Sequence, residues 1–255
     1  MTLQRLLLGG ALVLIAFTVV GSSLAKRPKP LELRETCVKR SDRATVVRFR
    51  SADGVRLLGV MLGRGPAGVV LTHESSGWIC SWLPYGRTLA RRGYRVLVID
   101  ARGNGSSSAS RSPSRRFRFD LDIAAAAREL RRRGARSVVL GGGSLGAMGS
   151  LIVGASLRPP VDGVVAVSPG TSFRGVDAAA AVPRLRVPVL YVVASEDAGF
   201  PEATRTLYEA TASEDKRLVV VDGFGHGNEV MAIADAREAV DRFINEHSRR
   251  GALRQ

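Results

Sequence analysis

Residues 138–152, VVLGGGSLGAMGSLI, set three consecutive glycines before a single serine and another glycine just after it. Apolar residues precede the cluster in a strand-like run, and small and apolar residues follow it in a helix-like one. Two chemistries need glycine there. Gly141-x-Gly143-x-x-Gly146 has the spacing of a turn that brings backbone close to the pyrophosphate of a dinucleotide. Gly142-x-Ser144-x-Gly146 has the spacing of a sharp bend that presents a nucleophilic hydroxyl. Both exploit a helix N-terminus, where N–H groups and the helix dipole favour negative charge.

The rest of the chain separates the two. A dinucleotide site needs an acidic residue at the end of the following strand, to hold the ribose. That strand reads GVVAVS and ends at Ser168, while Asp162 precedes it, at the wrong end. A serine nucleophile needs a base, and the base needs an orienting carboxylate. Both types follow in order, each just past a strand-like run. VPVLYVVASED leads to Glu196 and Asp197, and RLVVVDGFGHG leads to His226. Imidazole titrates near neutrality, so it can take the serine proton and return it to a leaving group. The pattern therefore favours nucleophilic serine catalysis, with no cofactor and a small-molecule acyl substrate.

On these residues the chain resembles the α/β-hydrolase family over nearly all of the sequence that follows the N-terminal leader, in its esterase or dienelactone-hydrolase form without a large lid. Three further segments carry the resemblance: LTHESSG at 71–77, DARGNGSSS at 100–108 and ASEDAGFP at 194–201. It implies Ser144 as nucleophile, His226 as base and Asp197 as the acid, with Gly142 and Gly146 forming the elbow. The backbone N–H groups of Glu74 and Leu145 would hold the oxyanion. Where the family often has His-Gly, this chain has His73-Glu74. The Glu74 side chain is expected in solvent, with a role in substrate selection as the alternative. Glu196 and Asp222 are the alternative acids.

Other chemistry-bearing residues read as structural. His73 and the Asp100–Arg102 pair are expected to brace the fold, and His247 to lie on a helix surface. Trp78, Trp82 and Tyr85 either line a pocket or pack in the core. The three histidines and two cysteines show no metal-ligand spacing, so no metal site is expected.

These side chains need a scaffold. Val-rich runs at Thr45–Arg50, Val55–Leu62, Gly68–Thr72, Tyr94–Asp100, Ser137–Leu140, Gly163–Ser168, Val187–Ala194 and Arg217–Val221 read as strands. Helical patterns lie between them at Trp82–Arg92, Leu121–Arg133, Leu145–Leu157, Glu202–Ala212 and Glu229–His247. Continuous apolar strands alternating with helices predict an α/β fold with a mostly parallel sheet covered on both faces. The Ser/Arg-rich stretch 102–118 reads as an exposed, mobile loop, and Gly170–Val187 is too short for a large lid.

The chain has 255 residues, 45% of them apolar and only 5% aromatic, so Val, Leu and Ala must build the core. Residues 1–25 combine Arg5, an uncharged run from Leu6 to Val20 and the small-residue ending Ser23-Leu24-Ala25. This is the composition of a secretory leader, with an uncleaved anchor over residues 6–25 as the alternative. Residues 26–40 form a basic lead-in, and 41–250 the hydrolase-type domain. Export would place Cys37 and Cys80 in an oxidising compartment, where a disulfide or two buried thiols are both open. The net charge of +15 favours acidic partners such as a membrane or cell envelope. Without aromatics interleaved among the basic residues, it does not make a nucleic-acid platform. The expectation is an exported serine hydrolase acting on carboxylic esters. A non-catalytic envelope-binding protein and a serine peptidase of the same fold are the alternatives; oligomeric state is not legible.

Overall fold

The structure, a computed structural model, describes residues 30–253. The expected leader or anchor lies outside them, and no helix among the described residues is long and apolar enough to cross a membrane. From Leu31 onward the described residues form one compact unit. Within it Leu31, Leu33, Cys37 and Val38, from the segment read as a basic lead-in, pack on the core.

The strands are β1 (Thr45–Arg50), β2 (Arg56–Leu62), β3 (Ala67–Thr72), β4 (Arg95–Asp100), β5 (Ser137–Gly143), β6 (Gly163–Val167), β7 (Ser172–Phe173), β8 (Val176–Asp177), β9 (Val189–Ala194) and β10 (Lys216–Val221). The helices are α1 (Ile79–Arg91), α2 (Phe119–Arg132), α3 (Leu145–Ser156), α4 (Phe200–Ala210) and α5 (Ala234–Leu253). Eight strands form one sheet in the order β1-β2-β4-β3-β5-β6-β9-β10. β2 runs antiparallel to β1 and β4, and every other pairing in that sheet is parallel.

Burial on both faces explains the uninterrupted apolar runs. Phe119, Ile123, Leu151 and Leu207, from α2, α3 and α4, cover one face. Ile79, Trp82, Val240 and Phe243, from α1 and α5, cover the other. The sheet order also fixes where chemistry can occur. β3 lies between β4 and β5, so the chain crosses over it between those two strands. Such a reversal opens a crevice at the carboxyl ends of the strands. Thr72 pairs with Gly142 at that end, which places His73 and Ser144 at the crevice.

Several sequence expectations need correction. β5 continues through Gly141, Gly142 and Gly143 instead of stopping at Leu140, because its neighbours β3 and β6 keep pairing with it. The segment expected as one helix from Glu229 is a 3-10 turn, Gly227–Ala232, followed by α5. The stretch after β6 holds the small hairpin β7–β8 in place of a plain loop. The Ser/Arg-rich stretch is pinned at its start. Arg102 is buried between Asp53 and Asp122, and Ser107 Oγ donates to the Asp100 carbonyl while accepting the Leu58 N–H. His247 is not on the surface: only 2% of it is exposed, and its ring packs 4.3 Å from that of Phe243. Trp82 and Tyr85 are core residues, whereas Trp78 is exposed.

Candidate active site

Ser144 sits between the end of β5 and the first residue of α3, with φ 49 and ψ −114. This left-handed conformation is costly for a residue with a side chain and marks a strained turn. The surroundings hold it in place: Ser144 donates its N–H to the Val167 carbonyl on β6, and its own carbonyl caps Met148. The flanking glycines are needed for contact. A Cβ on Gly146 would lie 2.5 Å from the Thr72 carbonyl oxygen and 2.6 Å from that of His73. A Cβ on Gly142 would meet the Gly146 backbone at 2.7 Å. Helix α3 can approach β3 only because both side chains are missing.

Asp197 follows β9 in a tight turn and is buried. His226 follows β10. Its Nδ1 lies 3.0 Å from both Asp197 carboxylate oxygens, which leaves Nε2 directed away from the acid. The ring also rests on Phe200, at the start of α4, with centroids 4.1 Å apart. The backbone N–H of His226 donates to Glu229, fixing the loop from its other side.

Ser144 and His226 line one cavity of about 270 Å³, together with Ser75 and Leu145. Met148, Phe173 and Phe200 form its apolar wall. The Ser144 hydroxyl and the imidazole are not joined by a hydrogen bond; in serine enzymes of this kind such contacts commonly tighten only in the substrate complex. Two larger surface hollows, of about 730 and 490 Å³, lie elsewhere and contain no histidine.

His73 and Glu74 are positioned from the sheet end. His73 is buried, with Nδ1 donating to the Glu74 carbonyl at 2.5 Å and Nε2 accepting the Ala101 N–H at 2.9 Å. Those two bonds fix the neutral tautomer, and burial lowers its pKa to about 4. Glu74 is half-buried, and it is not among the residues that line the cavity. Its Oε1 accepts the Trp82 indole N–H at 3.2 Å and the Asn228 backbone N–H at 2.7 Å. Gly143 and Gly227 leave the space its carboxylate fills, and burial pushes its pKa upward. In this loop Ser75, not Glu74, reaches the cavity. The sequence did not single out Ser75. Asp100 and Arg102 are bracing residues: Asp100 accepts the N–H groups of Ile79 and Ser106.

Cys37 and Cys80 form a disulfide with Cα atoms 5.8 Å apart, tying the N-terminal segment to α1. Glu196 and Asp222, the alternative acids, make no bond to His226 among the described residues. Asp215, Glu246 and His247 come together across β10 and α5, a grouping that linear spacing does not show. Arg217 already pairs with both carboxylates, at 3.2 and 2.9 Å.

A family model described as the alpha/beta hydrolase fold matches residues 69–181, from β3 to the segment after β8. No curated protein matches the chain significantly in sequence. Solved structures match it closely in shape. The Pyrococcus furiosus esterase Pf2001 is 19% identical with a TM-score of 0.70, over 82% of this chain and 94% of that one. Est1E of Butyrivibrio proteoclasticus, solved with ferulic acid, is 17% identical with a TM-score of 0.67, over 79% and 99%. The esterase domain of a Rhodothermus marinus protein is 20% identical with a TM-score of 0.62, over 81% and 98%. The chain belongs to the α/β-hydrolase fold, as its sheet order and strand-end crevice already indicated.

Proposed function

We propose that this chain is an exported serine hydrolase that cleaves small carboxylic esters through an acyl-enzyme. The carrying observation is the His226 ring: Asp197 holds its Nδ1, and it shares a cavity with a serine on a strained elbow. The esterases among the structural neighbours favour the same substrate class.

In this reading His226 Nε2 accepts the Ser144 proton as Oγ attacks the ester carbonyl. Asp197 keeps Nδ1 protonated and stabilises the imidazolium. The oxyanion is held by the Leu145 N–H, at the positive end of α3, and by the N–H of Ser75, the loop residue that lines the cavity. This reading takes the loop donor from one residue beyond Glu74, which does not line the cavity. His226 then protonates the departing alcohol. Water, deprotonated by the same nitrogen, attacks the acyl-Ser144 carbonyl and releases the acid.

Export is supported by the composition of residues 1–25 and by the disulfide, which persists in oxidising compartments. Steady-state hydrolysis of p-nitrophenyl acetate tests the activity. Turnover that disappears in Ser144→Ala and in His226→Ala is the expected result. Equal rates in the wild type and Ser144→Ala would overturn the proposal.

A further inference from the structure

We propose, on the basis of the serine-hydrolase reading, that the preferred esters carry a carboxylate remote from the scissile bond, recognised by Arg174 and Arg116 at one rim of the cavity. The β7–β8 hairpin builds that rim. Phe173 lines the cavity and is 40% exposed. Arg174 follows it at the hairpin turn with φ 45, beside Gly175 with φ 84.

Four side chains form a stack there. The rings of Phe117 and Phe173 meet edge-on, with centroids 5.3 Å apart. The Arg174 guanidinium lies 5.3 Å from the Phe117 centroid and 5.5 Å from that of Phe173. The Arg116 guanidinium lies 5.5 Å from the same Phe117 centroid. Aromatic faces hold guanidinium groups in place without consuming their N–H donors. The flat fork that remains suits a carboxylate.

Among the described residues, ion pairs occupy the neighbours Arg115 and Arg118, with Asp53 and Asp120, whereas none involves Arg116 or Arg174. Asp177, opposite Ser172 across the hairpin, accepts the Ala180 N–H. The cavity wall beyond the rim is apolar, from Met148, Phe173 and Phe200. A substrate with an apolar body and one anionic end matches both parts.

The test compares mono-p-nitrophenyl adipate with p-nitrophenyl hexanoate, esters of equal chain length that differ in the terminal carboxylate. The readout is the ratio of their kcat/KM values, so general damage to the enzyme cancels. We expect the ratio to favour adipate roughly five- to tenfold at low salt, as two partly exposed charge pairs allow. It should shrink at high salt and fall to about one or below in an Arg116→Gln/Arg174→Asn double variant. Asparagine is chosen because it tolerates the left-handed turn. A wild-type ratio at or below one, or a preference unchanged in the double variant, overturns the proposal while leaving hexanoate hydrolysis to stand. Absence of turnover with both esters, together with a Ser144 that fluorophosphonates do not label, overturns the hydrolase reading as well.

Discussion

Glu74 Oε1 accepts the backbone N–H of Asn228 at 2.7 Å, which joins the loop after β3 directly to the loop that carries His226. The same oxygen holds the Trp82 indole, so the carboxylate anchors the histidine loop to the core of the molecule. Removing it leaves a partly buried N–H unpaired, at a cost of about 1–3 kcal/mol. Glu74→Ala is expected to lower kcat/KM for a neutral ester roughly tenfold, mainly through kcat. Glu74→Gln keeps an oxygen acceptor and should retain most of the activity. Equal losses in the two variants would show that the link does not position His226.

Gly146 tests the elbow. The nearest atoms to an added Cβ are backbone oxygens of Thr72 and His73, which cannot swing aside as a side-chain tip can. Gly146→Ala should destabilise the fold by about 2–3 kcal/mol and strongly reduce activity. Urea unfolding followed by circular dichroism reads the first effect. An unchanged midpoint would mean that α3 shifts freely on the sheet.

The Cys37–Cys80 bridge spans 43 residues of sequence. Loop-closure entropy for that length gives a stabilisation of about 4 kcal/mol. The Cys37→Ser/Cys80→Ser double variant should unfold at correspondingly lower denaturant, and reductant should lower the wild-type midpoint but not the variant's. Identical midpoints for wild type and variant would contradict a structural bridge.

His73 gives a pH dependence of definite sign. Burial lowers its pKa from 6.5 to about 4, so between these values the unfolded chain binds a proton that the folded chain refuses. Stability from this residue is complete above pH 6.5 and declines as the pH falls toward 4, by on the order of 3 kcal/mol. Burial pushes the Asp100 carboxyl in the upward direction, which works in the opposite sense as pH changes. The His73 contribution is therefore read as the difference between wild-type and His73→Gln stabilities across that range. A constant difference would rule out a neutral buried imidazole.

Much of this arrangement was legible in the sequence because burial on two faces writes long apolar strands, and the bend at Ser144 excludes side chains at Gly142 and Gly146. The order of Ser144, Asp197 and His226, each past a strand, follows from the same sheet. Other features depend on contacts between distant segments. Glu74 looked like a solvated loop residue because Trp82 and Asn228, its partners, approach only after folding. His247 has a polar side chain in a basic helix, yet Phe243 draws its ring into the interior. The β7–β8 hairpin has two residues per strand, too few for an alternating pattern to show.

The central claim is that Ser144 is a nucleophile activated by His226 and Asp197. Intact-mass analysis after treatment with a fluorophosphonate, followed by peptide mapping, tests it most directly. One equivalent of adduct on Ser144, absent in Ser144→Ala and greatly slowed in His226→Ala, is the result predicted here. An unmodified Ser144 in the folded, disulfide-bonded protein would contradict it.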